Sequence, residues 1–397
     1  MPPLGIYVQV PFCQTKCTYC NFHTGVVSAS RFAPYIDAVC AEVRQHEALE
    51  ERAGVMVRED LRALAVDSVY IGGGTPSLLD PVHIANLLRT VRETFSCYSG
   101  DDSSAVSCEV TLEADPETID PHKAAAWVSA GVNRVSFGLQ SFIDKELIAS
   151  GRMHRRADIY RAVPVLRAAG ISNIGFDLIA GLPHQTAASW RQSLDELANL
   201  QPEHVSIYLL EIDEGSRLGL EVLQGGSRYS ARDIPSEDDM ATFYQSGQEY
   251  LQAVGYHHYE ISNWAKARYE SRHNLKYWRR KPYLGFGAGA HSFVAGNRWA
   301  NAHDAANYVK AIESARLPIE QHEVLSADRA LEEELFLGLR QLDGIDVSKI
   351  ERDYGVQLAS RFDPLAKRGL LERAGNVVRL APQRLSISNE VFVELMR

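Results

Sequence analysis

Ile6–Phe22 reads IYVQVPFCQTKCTYCNF, a strand-like run feeding directly into a metal-binding spacing. The first half, from Gly5 to Val10, is β-branched and aromatic, as strands are. The second half sets Cys13, Cys17 and Cys20 in a C-x3-C-x2-C pattern, half of the six cysteines in the chain. Cys40, Cys97 and Cys108 are scattered and read as small buried hydrophobes. Three thiols on one loop cannot all pair as disulfides, and a reducing compartment disfavours such bonds. Structural zinc wants four nitrogen or sulfur ligands, usually as two separated pairs. No second cysteine pair exists, although His23 could complete a zinc site. Soft thiolates in this number suit an iron–sulfur cluster best, with zinc and a metal-free loop as alternatives. A cubane held by three cysteines keeps one iron open to a non-protein ligand.

Working outward, strands alternate with helices. Strands are expected at Gly5–Val10, Ser68–Gly72, Ala105–Ala114, Arg134–Leu139, Asn173–Leu182 and His204–Ile212. Helices are expected over Arg31–Arg52, Pro81–Thr94, Pro121–Ala130, Arg156–Ala169, Ala187–Leu200 and Ser236–Ala253. This is an α/β pattern with a parallel sheet and crossover helices. Runs such as VSFGLQ and HVSIYLL read as nearly continuous apolar strands covered on both faces. Six such units predict a barrel or an open partial barrel; a doubly wound sheet is the alternative. The expected division is a barrel over 1–255, a Tyr/His/Trp-rich linking region over 256–325 and a C-terminal domain over 326–397. The last has three helical stretches and a hairpin at NVVRLAP, the order of a winged-helix module.

Composition narrows the function. The chain has 397 residues, 45% hydrophobic and 23% charged, with a formal net charge of −10. That is globular composition, and the acidic balance argues against a general nucleic-acid binder. The C-terminal module is therefore read as a packing or partner-docking unit. No run approaches the roughly 20 apolar residues that span a bilayer. MPPLGIYVQVPFC lacks the basic start and apolar length of a signal peptide. A cytoplasmic protein with reduced thiols is expected, touching membranes at most peripherally.

In parallel barrels, chemistry collects where strands end. The cysteine loop follows strand one, and GGGTPS (Gly72–Ser77) follows strand two. Glu113 closes strand three, Gln140 closes strand four, and Asp177 lies within strand five. Arg152 and His154 lie just past the Gln140 loop. Each has an ordinary explanation alone: a tight turn, a matched charge, a satisfied carbonyl. Together they point at one mouth able to surround a hydrogen-bonding cofactor.

With these residues in view, the chain resembles the radical S-adenosylmethionine (SAM) superfamily. Within it, the likeness is to the oxygen-independent coproporphyrinogen III oxidases and their haem-chaperone relatives of HemW type. IYVQVPFCQTKCTYCNF, IGGGTPSLL, VTLEADPETI, VSFGLQSF, GFDLIAGLP and LSISNEVF carry the likeness over nearly the whole chain. The resemblance implies a partial (β/α)6 radical SAM barrel, with a winged-helix-like domain behind it. It implies a 4Fe–4S cluster on Cys13, Cys17 and Cys20, whose fourth iron SAM chelates. SAM contacts are implied at Tyr7, Tyr19, Gly73, Gly74, Thr75, Glu113, Gln140, Arg152 and Asp177. An electron from the cluster would cleave SAM to methionine and a 5′-deoxyadenosyl radical.

Two departures separate the chain from the oxidases it resembles. Phe22 stands where they carry a further Cys, and Glu211 and His291 stand where they place a second SAM against small or apolar residues. Conversely, His273–Trp278 reads HNLKYW, the HNxxYW motif that marks the haem chaperones. His273 is the expected haem ligand, with His23, His257, His258 and His291 as alternatives; aromatic neighbours could stack on the porphyrin. Arg272, Lys276, Arg279, Arg280 and Lys281 are expected to form a basic patch for haem propionates. The function implied is haem binding and delivery to haem-requiring acceptor proteins, with an electron donor for the cluster. The alternatives are oxidative decarboxylation of coproporphyrinogen III and another radical reaction on a tetrapyrrole.

Overall fold

A computed structural model describes residues 2–55, 61, 64–97 and 107–396. Strand and helix alternate from the start: β1 (Leu4–Val10), α1 (Phe32–Arg52), β2 (Val66–Gly73), α2 (Pro81–Thr94), β3 (Glu109–Ala114), α3 (Pro121–Ala130) and β4 (Arg134–Gln140). Then follow α4 (Asp144–Ala149), α5 (Arg156–Ala169), β5 (Asn173–Ala180), α6 (Ala187–Leu200) and β6 (His204–Leu209). Residues 105 and 106 of the expected third strand lie outside the described residues.

The helix starts are written locally. Asp80 accepts from Val82 N–H ahead of Pro81, and Asp120 accepts from Lys123 N–H ahead of Pro121. Thr186 and Ser189 form a capping box on α6. Gly131 and Gly170 end α3 and α5 in the left-handed region, where a side chain would be strained.

Strands β1 to β6 pair in sequence order, every pair parallel. The barrel does not close. After β6 come α7 (Arg217–Leu223), α8 (Glu237–Ala253), β7 (His257–Glu260), β8 (Asn263–Ala265), α9 (Arg272–Trp278), β9 (Tyr283–Phe286), β10 (His291–Val294), β11 (Asn297–Asn301), α10 (Ala305–Glu313) and β12 (Ile319–Val324). The outer neighbour of β1 is β9, and that of β6 is β8. The stretch 256–325, expected to link two units, thus extends one twelve-stranded sheet at both edges.

The expectation that the central strands are apolar on both faces needs correction. On β4, Val135, Phe137 and Leu139 join the core that also holds Trp127, Ile159 and Leu166 of the outer helices. The alternate residues Arg134, Ser136, Gly138 and Gln140 line a polar chamber inside the sheet. The physical reason is the period of two along a strand, which hides a polar inner row between apolar outer residues.

The C-terminal part holds α11 (Ala327–Gly338), β13 (Ile345–Asp346), α12 (Val347–Tyr354), α13 (Ala359–Lys367), β14 (Leu371–Ala374) and β15 (Val377–Leu380). Its three strands form an antiparallel sheet in the order β13-β15-β14, giving the expected winged-helix arrangement. The chain then returns toward the barrel and enters α14 (Ser388–Leu395). There Leu385, Ser386, Ser388 and Asn389 complete the cavity wall. Among the described residues no helix is long and apolar enough to cross a membrane.

Candidate functional site

The cysteine loop leaves the end of β1 and is clamped by the glycine motif at the end of β2. Gly74 N–H donates to the Val10 carbonyl at 2.8 Å, and Thr75 N–H to the Phe12 carbonyl at 2.7 Å. A Cβ on Gly74 would lie 2.5 Å from the Phe12 carbonyl oxygen, so only glycine permits this approach. Further along the loop, Thr18 N–H donates to the Ser150 carbonyl, and Leu218 N–H donates to the Thr18 carbonyl.

A cavity of about 600 Å³ opens beside this loop. Cys13, Cys17 and Cys20 line it together with Tyr19, Gly73, Gly74, Thr75, Glu113, Gln140, Arg152 and Asp177. Tyr7 is not on its wall. Its hydroxyl donates to Gln9 Oε1 at 2.5 Å, and its ring lies 6.1 Å from that of Tyr70, which is on the wall. Gln140 takes φ +67° beside an irregularity in the β4–β5 register, a conformation that aims a strand-end side chain.

Burial sets the charges. The Glu113 carboxyl is pushed up to about 7 by desolvation, while hydrogen bonds from Tyr70 Oη and Gly73 N–H hold it down. Burial also raises Asp177 and the Cys13 thiol. Arg152 spans the site: its guanidinium meets Cys17 Sγ at 3.5 Å, the Gly138 carbonyl at 2.6 Å and Asp115. Asp115 also accepts from Thr75 Oγ1 at 3.3 Å, a role hidden in LEADP because Glu113 is the nearer strand end. His154 is buried, with Nε2 on the Leu139 carbonyl; burial and then Arg152 depress it to about 3, so it is neutral.

The HNxxYW helix α9 sits at the opposite end of the barrel. Lys276 Nζ donates to the Pro3 carbonyl at 2.8 Å and pairs with Asp67 at 2.6 Å. Glu109 Oε1 accepts from the N–H groups of Arg272 and His273. The motif thus ties together the starts of β1, β2 and β3. His273 is 1% exposed, with Nδ1 3.1 Å from Ser68 Oγ and Nε2 2.9 Å from Tyr277 Oη. Burial, then Lys276 and Arg134, depress it to about 3. Coordination of iron by either ring nitrogen requires giving up one of these bonds.

Of the five cations expected to form a basic patch, two are paired with carboxylates and a third with an amide. Lys276 is spent on Asp67, Arg279 on Gln341, and Arg280 on Glu333 and Glu334. Lys276 lies within α9 while Arg279 and Arg280 follow its end, so the three side chains meet different neighbours. Of the other histidines, His257 and His291 are exposed on β7 and β10. His258 stacks on Trp264 at 3.9 Å. His23 is exposed with its ring 4.4 Å from that of His303. Glu211 lines the cavity, and Phe22, 65% exposed, stands at its mouth.

Residues 7–197 match the radical SAM superfamily, and residues 325–383 match the HemN C-terminal domain. The chain is 33% identical to the heme chaperone HemW of Bacillus subtilis (strain 168) over 390 residues, 97% of both chains. The chain belongs to the HemW family of radical SAM proteins. It is also 33% identical over 294 residues to HemW of Escherichia coli (strain K12), covering 74% of this chain and 71% of that relative. Its fold matches that of the Escherichia coli coproporphyrinogen III oxidase HemN with a TM-score of 0.80 at 22% identity, over 99% of this chain and 90% of that one.

Membership of the HemW family, through the radical SAM superfamily, implies a 4Fe–4S cluster and SAM. The donor set fits. All three loop thiols are free, partly exposed and on one cavity wall. Among the described residues no three His, Cys, Asp or Glu side chains converge on a single-ion position. Three thiols on one loop suit a cubane with one iron left to a non-protein ligand.

Proposed function

We propose that this HemW-family chain is a cytoplasmic haem carrier that binds haem and passes it to haem-requiring acceptor proteins. Cys13, Cys17 and Cys20 would hold the cluster. Tyr19, Gly73, Gly74, Thr75, Glu113, Gln140, Arg152 and Asp177 would hold SAM on the adjoining wall, with Tyr7 backing Tyr70 from behind. Together the two groups supply one-electron chemistry. Glu113, where ionised, offers a carboxylate to a cationic ligand, and Arg152 offers N–H donors beside Cys17. An electron donor would dock at the open cysteine mouth, and any membrane contact would be peripheral, through an acceptor.

The observation that carries this reading is one cavity that runs from the cysteine loop to Asn274 of the HNxxYW helix. The three loop cysteines share this cavity with every residue assigned to SAM except Tyr7, and the HNxxYW helix stands at its floor. Phe22 at the mouth and Glu211 on the wall favour a carrier over a decarboxylase. His273 is the proposed iron ligand, freed when its Nε2 gives up the bond to Tyr277 Oη.

The test is a titration of the cluster-loaded protein with haem. A shifted Soret band in the wild type supports the carrier; an unchanged spectrum removes it. An anaerobic assay with SAM, reductant and coproporphyrinogen III should give no protoporphyrinogen IX, and turnover would replace the carrier with the oxidase.

A further inference from the structure

Gly175 faces the chamber from β5 without a side chain, and three polar groups surround the space it leaves. A Cβ there would lie 3.4 Å from Ser136 Oγ, 3.5 Å from an Arg134 Nη and 3.5 Å from His204 Nδ1. Arg134, His204 and Ser136 all line the cavity. Arg134 is 1% exposed, yet among the described residues its guanidinium has only a 3.4 Å hydrogen bond to Thr111 Oγ1, and Nε has no partner. A buried guanidinium without a bonded carboxylate is costly and rare.

His204, also 1% exposed, completes the pattern. Its Nε2 lies 2.7 Å from Tyr259 Oη, and that oxygen accepts from Ser271 N–H. With the Tyr259 proton directed to Nε2, the neutral imidazole holds its own proton on Nδ1, which has no partner among the described residues. Arg134 and His204 thus present unspent N–H donors to one small space. Ser136 adds a hydroxyl that also reaches Asp177 at 3.5 Å.

We propose that Arg134, His204 and Ser136 form an inner carboxylate subsite that takes a propionate of haem. The inference rests on the haem-carrier reading and gives it a point of attachment. A carboxylate is flat, small and doubly accepting, which matches convergent N–H donors. The subsite lies on the floor side of the residues assigned to SAM and adjoins them where Ser136 reaches Asp177. Arg134 begins β4 and Gln140 ends it, a rise of about 20 Å from the mouth. The same cavity reaches Asn274 of α9, and Arg340 and Ser386 on its side wall, so a tetrapyrrole carboxylate has a route in. The rival role for Arg134 is balancing the buried Asp177 and Glu113.

The test compares haemin with haemin dimethyl ester, whose propionates carry no charge. Both are titrated into cluster-loaded wild type, Arg134→Gln and Gly175→Ala. Wild type should bind haemin about tenfold or more tightly than the ester, and both variants should bind the two alike. If Arg134→Gln fails to fold, Gly175→Ala decides. Its methyl meets neighbours at ordinary contact distance, keeps every charge and fills the space. A full haemin–ester difference in either folded variant overturns the subsite and leaves haem carriage standing. No haemin binding by the wild type overturns both.

Discussion

Tyr70 donates its phenolic proton to Oε1 of Glu113 across 2.8 Å, and the Tyr70 ring lies 5.4 Å from the imidazole of His273. One side chain therefore touches a group of the cofactor mouth and the helix that seals the floor. Removing its hydroxyl perturbs Glu113 without changing the shape of the ring.

Glu113 titrates near pH 7 because burial raises it more than Tyr70 and Gly73 lower it. SAM is cationic, so its affinity should rise about tenfold from pH 6 to pH 8 as Glu113 ionises. Calorimetric titration at several pH values checks this. Tyr70→Phe should move the midpoint upward, and Glu113→Gln should flatten the curve.

Gly74 carries the clamp on the cysteine loop. Gly74→Ala forces a methyl against the Phe12 carbonyl and should cost a few kcal/mol while displacing Cys13. Thermal melts should show the loss. Anaerobic reconstitution should give little of the brown absorption seen in wild type. Replacing Cys13, Cys17 and Cys20 by Ala should abolish that colour with little change in melting temperature, since none is fully buried.

His273→Ala leaves Ser68 Oγ and Tyr277 Oη without their ring partner. The variant should lose about 1–3 kcal/mol of stability as well as the Soret shift. Denaturant unfolding without haem measures the first effect, and titration well below the melting point measures the second. A destabilised variant with an intact Soret shift would assign the ligand elsewhere, with His23 beside His303 the first to test.

Glu42 makes the stability of the fold pH-dependent. It is buried, accepts from Tyr308 Oη, Gly287 N–H and Asn301 Nδ2, and is raised by desolvation from 4.5 to about 7. Between those values the folded chain holds a proton that the unfolded chain has released. Its contribution is therefore full below pH 4.5 and fades as pH rises through 7, by on the order of 3 kcal/mol. Melting curves from pH 5 to pH 8 should fall more steeply for wild type than for Glu42→Gln.

The helices were legible because their ends are local chemistry. Asp-Pro pairs begin α2 and α3, and Gly131 closes α3. The mouth was legible because its cysteines, glycines and carboxylates sit at strand ends. The floor was not. Arg134 and His204 read as ordinary strand starters, and nothing local says that they meet across Gly175. Lys276, Arg279 and Arg280, in and just after α9, look like one patch in sequence, but their partners Asp67, Gln341, Glu333 and Glu334 come from distant segments. Tyr7 shows another limit: alternation tells which face a side chain takes, not how deep along the barrel it stands.

The pairing of β1 with β9 has a bearing on synthesis. β1 is synthesised long before β9, and it obtains this outer neighbour only when Tyr283–Phe286 have followed. Until then its amide edge is bare and sticky, and the thiols just beyond it lack their finished setting. Loading of iron and sulfide should therefore follow completion of the nascent polypeptide, and chains truncated before residue 283 should aggregate rather than mature.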